Sequence, residues 1–150
     1  MYCVIKTLIG NLKIEEETGF ITGISFTEEA VCLSSSMVLK TAAAQLNEYF
    51  SKQRKTFDLP LKFHGTDFQK KVWKVLLEIP YGSVRSYKEI AISIGNEKAA
   101  RAVGMANHKN PIMIVVPCHR VIGSNGAMTG YAYGIDMKEK LLELEGILKR

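Results

Sequence analysis

The chain has 150 residues, 47% of them hydrophobic and 23% charged, enough for one ordinary core or a core with a small second lobe and unlike a disordered or low-complexity chain. Its three cysteines, Cys3, Cys32 and Cys118, are widely spaced with no Cys-x-x-Cys pair, which argues against a disulfide framework or a cysteine zinc site. A net charge of +5 admits a polyanionic partner, and with no run of membrane-span length and no signal peptide a cytoplasmic protein with reduced thiols is expected.

In chain order, the first stretch reads as a small β-meander. An apolar run from Val4 to Ile9 is followed by a turn at Gly10-Asn11 and a second run from Leu12 to Glu16. After a turn at Thr18-Gly19, Phe20, Thr22, Ile24 and Phe26 share a face by strict alternation. Thr27 to Ser36 is acidic and then polar, after which Val38, Ala42, Leu46, Tyr49 and Phe50 recur at helical spacing and predict a packing helix. The basic stretch from Ser51 to Thr56, with Leu59-Pro60-Leu61 and Gly65 behind it, reads as a linker whose cations suit either phosphate or plain solvent. The chain is therefore expected to divide into a small α/β lobe over 1–58 and a second lobe over 59–150.

The second lobe opens on a capping box, Thr66-Asp67-Phe68-Gln69, and Phe68, Val72, Val75, Leu76 and Ile79 fall on one face of the helix that it starts. Pro80, Tyr81 and Gly82 end that helix. A second capping box, Ser86-Tyr87-Lys88-Glu89, starts a short helix stopped by Gly95, and Asn96 is placed to cap a third from Glu97 to about His108. Two helices joined by a glycine-containing turn form either a helix-turn-helix or an ordinary αα-hairpin. The third helix lacks bulk: Ala99, Ala100, Ala102, Gly104 and Ala106 leave Arg101 as a single long cation on a surface of small side chains. A glycine inside a helix costs about 1 kcal/mol relative to alanine, so another helix or a nucleic acid should approach the Gly104 backbone closely. So shallow a surface suits a minor groove about 6 Å wide, where a bulky recognition helix would not fit.

Ile112-Met113-Ile114-Val115-Val116 is rich in β-branched side chains and predicts a buried strand, which Pro117 stops where Cys118 begins. His119 and Arg120 come next, and neighbouring cations lower a thiol's pKa from about 8.5 and raise its nucleophilic thiolate fraction. A small buried cysteine without chemistry fits the same local composition. Adjacent residues do not face one another on a strand or a helix, so proton transfer between Cys118 and His119 would run through a water. Gly123 to Gly126 is a turn, and the loop after it carries Tyr131 and Tyr133, which either wall a flat ligand or pack on the core. Asp136 is placed to cap a last helix with Met137, Leu141, Leu144 and Glu145 along one stripe. A carboxylate at Glu145 meets the negative end of the helix dipole beside apolar surface, so it demands a specific partner unless it is solvated as Glu143 should be.

The run Pro117-Cys118-His119-Arg120-Val121 resembles the active-site signature of the O6-alkylguanine-DNA alkyltransferases. The resemblance extends nearly continuously from Gly65 to Gly146, with Tyr87, Arg101, Asn110, Tyr131 and Glu145 in the family's order. It implies an α+β fold: a ribonuclease-H-like N-terminal lobe, then a mostly helical lobe with a helix-turn-helix and a short strand leading to the active-site cysteine. It implies DNA repair by direct reversal, an alkyl group passing once and irreversibly from O6 of guanine, or O4 of thymine, in double-stranded DNA to Cys118. The damaged nucleotide would be flipped out through the minor groove, with Arg101 taking its place in the stack on a surface made by Ala100, Ala102 and Gly104. His119 and Glu145 would draw the proton from Cys118 through water, Tyr87 would donate to the departing guanine, and Asn110 would brace the turn. Val121, Tyr131, Ala132 and Arg120 would complete the contacts to substrate and DNA. The family often has serine or arginine after Tyr131, so Ala132 leaves the substrate range open.

No metal or other cofactor is implied, because Cys3 and Cys32 lack nearby histidines, and the protein is expected to act as a monomer. Two other classes share parts of the pattern. A DNA-binding relative that only flags alkylated bases would have the fold, but such relatives replace the cysteine. A thiol hydrolase or redox enzyme would use Cys118 and His119 but has no need of an arginine on an alanine-rich helix.

Overall fold

The computed structural model describes residues 1–126, 131 and 133–147. The chain forms two compact units, Met1–His64 with Pro111–Met113, and Gly65–Asn110 with Ile114–Arg150. Among the described residues no helix is long and apolar enough to cross a membrane.

In the first unit, β1 (Tyr2–Thr7), β2 (Gly10–Glu17) and β3 (Phe20–Phe26) form an antiparallel sheet in that order. The alternation expected along β3 breaks at one place. Glu15 lies opposite Gly23 but Glu16 lies opposite Ile21, so Thr22 is left over as a bulge. Ile21 and Ile24, rather than Thr22 and Ile24, consequently turn to the buried face. The sheet packs against α1 (Met37–Phe50), which starts where Ser36 Oγ accepts the Leu39 N–H and which buries Leu39, Ala42, Leu46, Tyr49 and Phe50. Leu39 takes the core position expected for Val38, which is half-buried.

Part of the stretch that reads as a linker is tied to this unit. The Gln45 side chain donates to the Asp58 carbonyl and accepts its N–H, each at 3.0 Å. Pro60–Lys62 then pairs with Ile21, and Pro111–Met113 pairs with Ile24 farther along the same strand. Both segments cover backbone groups on the outer edge of β3 that would otherwise invite pairing with another chain.

The second unit is mostly helical: α2 (Asp67–Leu76), α3 (Tyr87–Ser93), α4 (Ala100–His108) and α5 (Ile135–Leu144). Both capping boxes are formed, Thr66 with Gln69 and Ser86 with Glu89. α2 buries Val72, Trp73 and Leu76, and Trp73 Nε1 donates to the Ala106 carbonyl on α4 at 2.8 Å. Gly65 is required by this packing, because a Cβ there would fall 2.7 Å from the Trp73 ring. Asn96 caps a 3-10 turn, Glu97–Ala99, through the Lys98 N–H, and α4 begins after it. α5 follows Gly134 without a side-chain cap, so Asp136 sits in its first turn instead of capping it. A parallel ladder of β4 (Arg85–Ser86) with β5 (Val121–Ile122) sets the start of α3 beside the segment that follows Cys118.

The run from Ile112 to Val116 is buried, as its composition predicts, but it is not a strand. Ile114 has φ +72°, the left-handed region that a β-branched residue rarely adopts. The chain turns there and delivers Cys118 at the start of a 3-10 turn, Cys118–Arg120.

Candidate active site

Cys118 is 3% exposed. Two asparagines brace the turn that carries it: Asn110 Nδ2 donates to the Val116 carbonyl at 2.8 Å, and Asn107 Nδ2 to the Cys118 carbonyl at 3.3 Å. Burial pushes the thiol up to about 11, although hydrogen bonds from the Asn110 side chain and from the N–H groups of Cys118 and His119, with the charge of Lys138, pull it the other way. The expected lowering by His119 and Arg120 does not occur. Both side chains turn away from the sulfur toward Glu145, and desolvation outweighs every favourable contact the sulfur makes.

Glu145, the C-terminal cap of α5, is buried and has the partners that its position demands. His119 Nε2 donates to Oε2 at 2.6 Å, and the Arg120 fork donates from Nε to Oε1 at 2.8 Å and from Nη2 to Oε2 at 3.0 Å. The Gly82 N–H adds a contact to Oε1 at 3.3 Å, and Arg120 Nη1 reaches the Ile79 carbonyl at 2.7 Å. Burial disfavours ionisation of Glu145, but the hydrogen bonds of His119 and Arg120 and the guanidinium charge prevail and hold it at about 2. Burial holds His119 below the usual histidine range, against the pull of Glu145. The neutral ring leaves the arginine as the full positive charge beside the carboxylate. An ionised carboxylate only accepts, so Nε2 carries the imidazole hydrogen. His119 Nδ1, also buried, makes no hydrogen bond with a described residue. Arg120, expected to touch substrate or DNA, is 6% exposed and commits its fork to Glu145 and the Ile79 carbonyl.

The buried stripe of α5 also differs from the expected one. Lys138, Leu141 and Leu142 face inward, in register with Glu145, whereas Met137 and Leu144 are half-buried. Lys138 is 0% exposed and donates to the Val121 carbonyl; burial brings its ammonium down to about 8, while the charge that Cys118 can carry pulls it up. Sequence reasoning missed Lys138, although its spacing of seven from Glu145 puts a cation and a carboxylate on one helical face. Asn107 was missed as well. Tyr131 is buried close to Cys118, its hydroxyl makes no hydrogen bond with a described residue, and its ring meets Tyr133 edge-on with centroids 5.7 Å apart. Ala132, expected from the family resemblance to touch substrate, lies outside the described residues.

Tyr87 lies near Lys138 and also on the α4 groove. Lys138 Nζ is 5.9 Å from its ring centroid, and the ring also lines an open groove of about 720 Å³ with Ala100, Arg101, Gly104, Met105 and His108. Arg101 and Ala102 are exposed on α4. A Cβ at Gly104 would meet only the Tyr87 ring, at an ordinary 3.8 Å, so packing within the protein does not require glycine there. The space that Gly104 keeps open belongs to the groove.

Known proteins share this arrangement over nearly the whole chain. Residues 1–63 match the family model described as the 6-O-methylguanine DNA methyltransferase, ribonuclease-like domain, and residues 67–147 match the DNA binding domain of the same family. A methylated-DNA--protein-cysteine methyltransferase of Methanosarcina barkeri is 54% identical over 139 residues, covering 92% of this chain and 88% of its own. The constitutive enzyme of that name in Bacillus subtilis is 46% identical, covering 97% and 95%. The crystal structure of Mycobacterium tuberculosis OGT in complex with DNA superposes with a TM-score of 0.87 at 47% identity, over 96% of this chain and 91% of that one. With both units matched and the cysteine, histidine and glutamate of the site in place, this chain belongs to the 6-O-methylguanine DNA methyltransferase family.

Proposed function

We propose that the chain repairs alkylated DNA by transferring the alkyl group from O6 of guanine to Cys118, one group per molecule. The observation that carries this reading is the buried Cys118 thiol, held by N–H donors and followed by a histidine whose far nitrogen is fixed on Glu145. The relatives named above carry the same activity in their names, and one was solved with DNA. The second unit, within 59–150, acts as the DNA-binding and transfer lobe.

With a pKa of about 11 the thiol is only about one part in ten thousand thiolate at pH 7, so its proton must be taken during the reaction. That proton passes through a water to His119 Nδ1, while Nε2–H stays on Glu145. The sulfur lone pair forms a bond to the alkyl carbon as the carbon–O6 bond breaks and its electrons enter the guanine ring. Tyr87 donates its hydroxyl proton to that ring and is reprotonated from His119 through solvent. The thiol proton therefore ends on guanine, and the protein holds a thioether. The N–H donors and Lys138, insufficient to ionise the resting thiol, stabilise negative charge as it develops on sulfur. Asn110 keeps the turn in place.

A base inside a duplex is out of reach of a buried thiol, so the nucleotide is flipped out toward Cys118. Arg101 fills the vacated stack while Ala100, Ala102 and Gly104 lie against the minor groove. Val121, whose carbonyl retains a second lone pair beside Lys138, accepts from the guanine amine, and Tyr131 flanks the base. Three free cysteines suit a reducing compartment that holds DNA, the cytoplasm.

Incubation with excess duplex containing radiolabelled O6-methylguanine tests the reading. One label per chain on Cys118 is expected, and none on Cys118→Ser, which still binds the duplex. More than one transfer per chain, or label on another residue, overturns it. Binding without any label would make the protein a lesion flag instead.

A further inference from the structure

We infer that Arg120 is a positioning residue for the transfer: its fork orients Glu145 and balances its charge, so that His119 stays uncharged, and able to accept a proton, at neutral pH. This rests on the reading of His119 as the proton acceptor. A lone buried carboxylate 2.6 Å from an imidazole favours the imidazolium, because an ion pair is the cheapest way to keep either charge out of water. An imidazolium has no lone pair and cannot take the thiol proton. Arg120 removes that pressure. With a guanidinium on both carboxylate oxygens, Glu145 already has its counter-ion, and a second cation on His119 gains far less.

The geometry is built for this. Arg120 is held from its other end by the Ile79 carbonyl and stacks toward the Tyr81 ring, 5.7 Å from its centroid, while the Tyr81 hydroxyl donates to the Leu144 carbonyl at 3.4 Å. Glu145 is fixed in turn by the Gly82 N–H. The turn after α2 and the end of α5 thus clamp the fork in the plane of the carboxylate, with Oε2 left facing His119. The titratable and charged groups around His119 are Glu145 and Lys138 from α5, Cys118 and Arg120 from its own turn, Tyr81 after α2, and Tyr131 and Tyr133 beside Cys118. Lys138 and Arg120 both oppose a charge on the ring, and Arg120 alone does so through the carboxylate that would otherwise attract one.

The test is the single-turnover rate of methyl transfer from an O6-methylguanine duplex between pH 5.5 and 8.5, in the full chain. Arg120→Met should move the acid limb of the profile up by at least one pH unit, read from the whole profile normalised to its own plateau. Arg120→Lys keeps the charge without the fork and should lower the rate with the limb in place. Arg120→Met combined with Glu145→Gln removes both charges and should return the limb to its wild-type position at a reduced plateau. A purely structural arginine would lower all rates without shifting the limb, and that result overturns the inference. If Arg120→Met does not fold, histidine NMR of the wild-type chain decides, with the His119 signal assigned by its loss in His119→Gln. His119 should remain neutral at pH 6, and an imidazolium there overturns the inference. Failure of the parent reading looks different: label absent from Cys118 in the wild-type protein at every pH.

Discussion

Cys118 shows how far a residue's chemistry depends on which neighbours its side chain meets. In sequence it is followed by two potential cations, and an activated thiolate is the natural expectation. In space those cations serve Glu145, and what surrounds the sulfur is apolar protein with a few N–H donors. The resting thiol is therefore protected. Brief treatment of the free protein with iodoacetamide at pH 7, followed by peptide mass spectrometry, should label exposed Cys32 well before Cys118, by about a hundredfold or more, since Cys118 is buried and burial pushes its thiol up to about 11. Equal labelling would mean that Cys118 is reached without DNA.

At the scale of elements, α4 is shaped for something outside the protein. Trp73 anchors it from α2, and α3 packs along it, yet its outer face exposes Arg101 and Ala102, with Met105 and His108 farther along the groove beside Ala100 and Gly104. Gly104 is the informative position, because alanine fits there with no contact closer than 3.8 Å to Tyr87. Gly104→Ala should stabilise the protein by up to about 1 kcal/mol through helix propensity. On the proposed DNA contact, it should also weaken binding of an alkylated duplex severalfold at fixed salt, because the added methyl fills part of the groove. Thermal melting and duplex titration check the two effects separately. Greater stability with unchanged affinity would remove this face of α4 from the DNA contact.

For the whole molecule, the buried charge network makes stability depend on pH with a definite sign. His119 is held neutral in the folded protein, whereas in the unfolded chain it binds a proton below about pH 6.5. Glu145 titrates at about 2 when folded and near 4.3 when unfolded. Both folded values lie below the unfolded ones. The stability they contribute is thus present above the unfolded values and is lost as pH falls, first below about 6.5 for His119 and then from about 4.3 downward for Glu145. Thermal melts from pH 8 to pH 4 should show Tm declining below about 6.5, and His119→Gln should lack the first part of the decline. A Tm independent of pH over that range would mean that the network does not hold its protons as its geometry requires.

Much of this was legible in the chain because it depends on local signals. Thr66 with Gln69 and Ser86 with Glu89 announce helix starts within four residues, Gly95 announces a stop, and Pro117 to Val121 with Arg101 and Glu145 in order identify the family. Other features depend on residues far apart in sequence. The β3 bulge depends on pairing with β2, and the left-handed Ile114 breaks a run whose β-branched composition favours a strand. Lys138 and Glu145 become partners of the active-site turn only when α5 is laid against it. Composition could locate His119 and Arg120 beside the cysteine but could not say where they point, since direction is set by the buried carboxylate to which both donate. That choice belongs to Glu145, 25 residues from Arg120 in sequence and 2.8 Å from it in the fold.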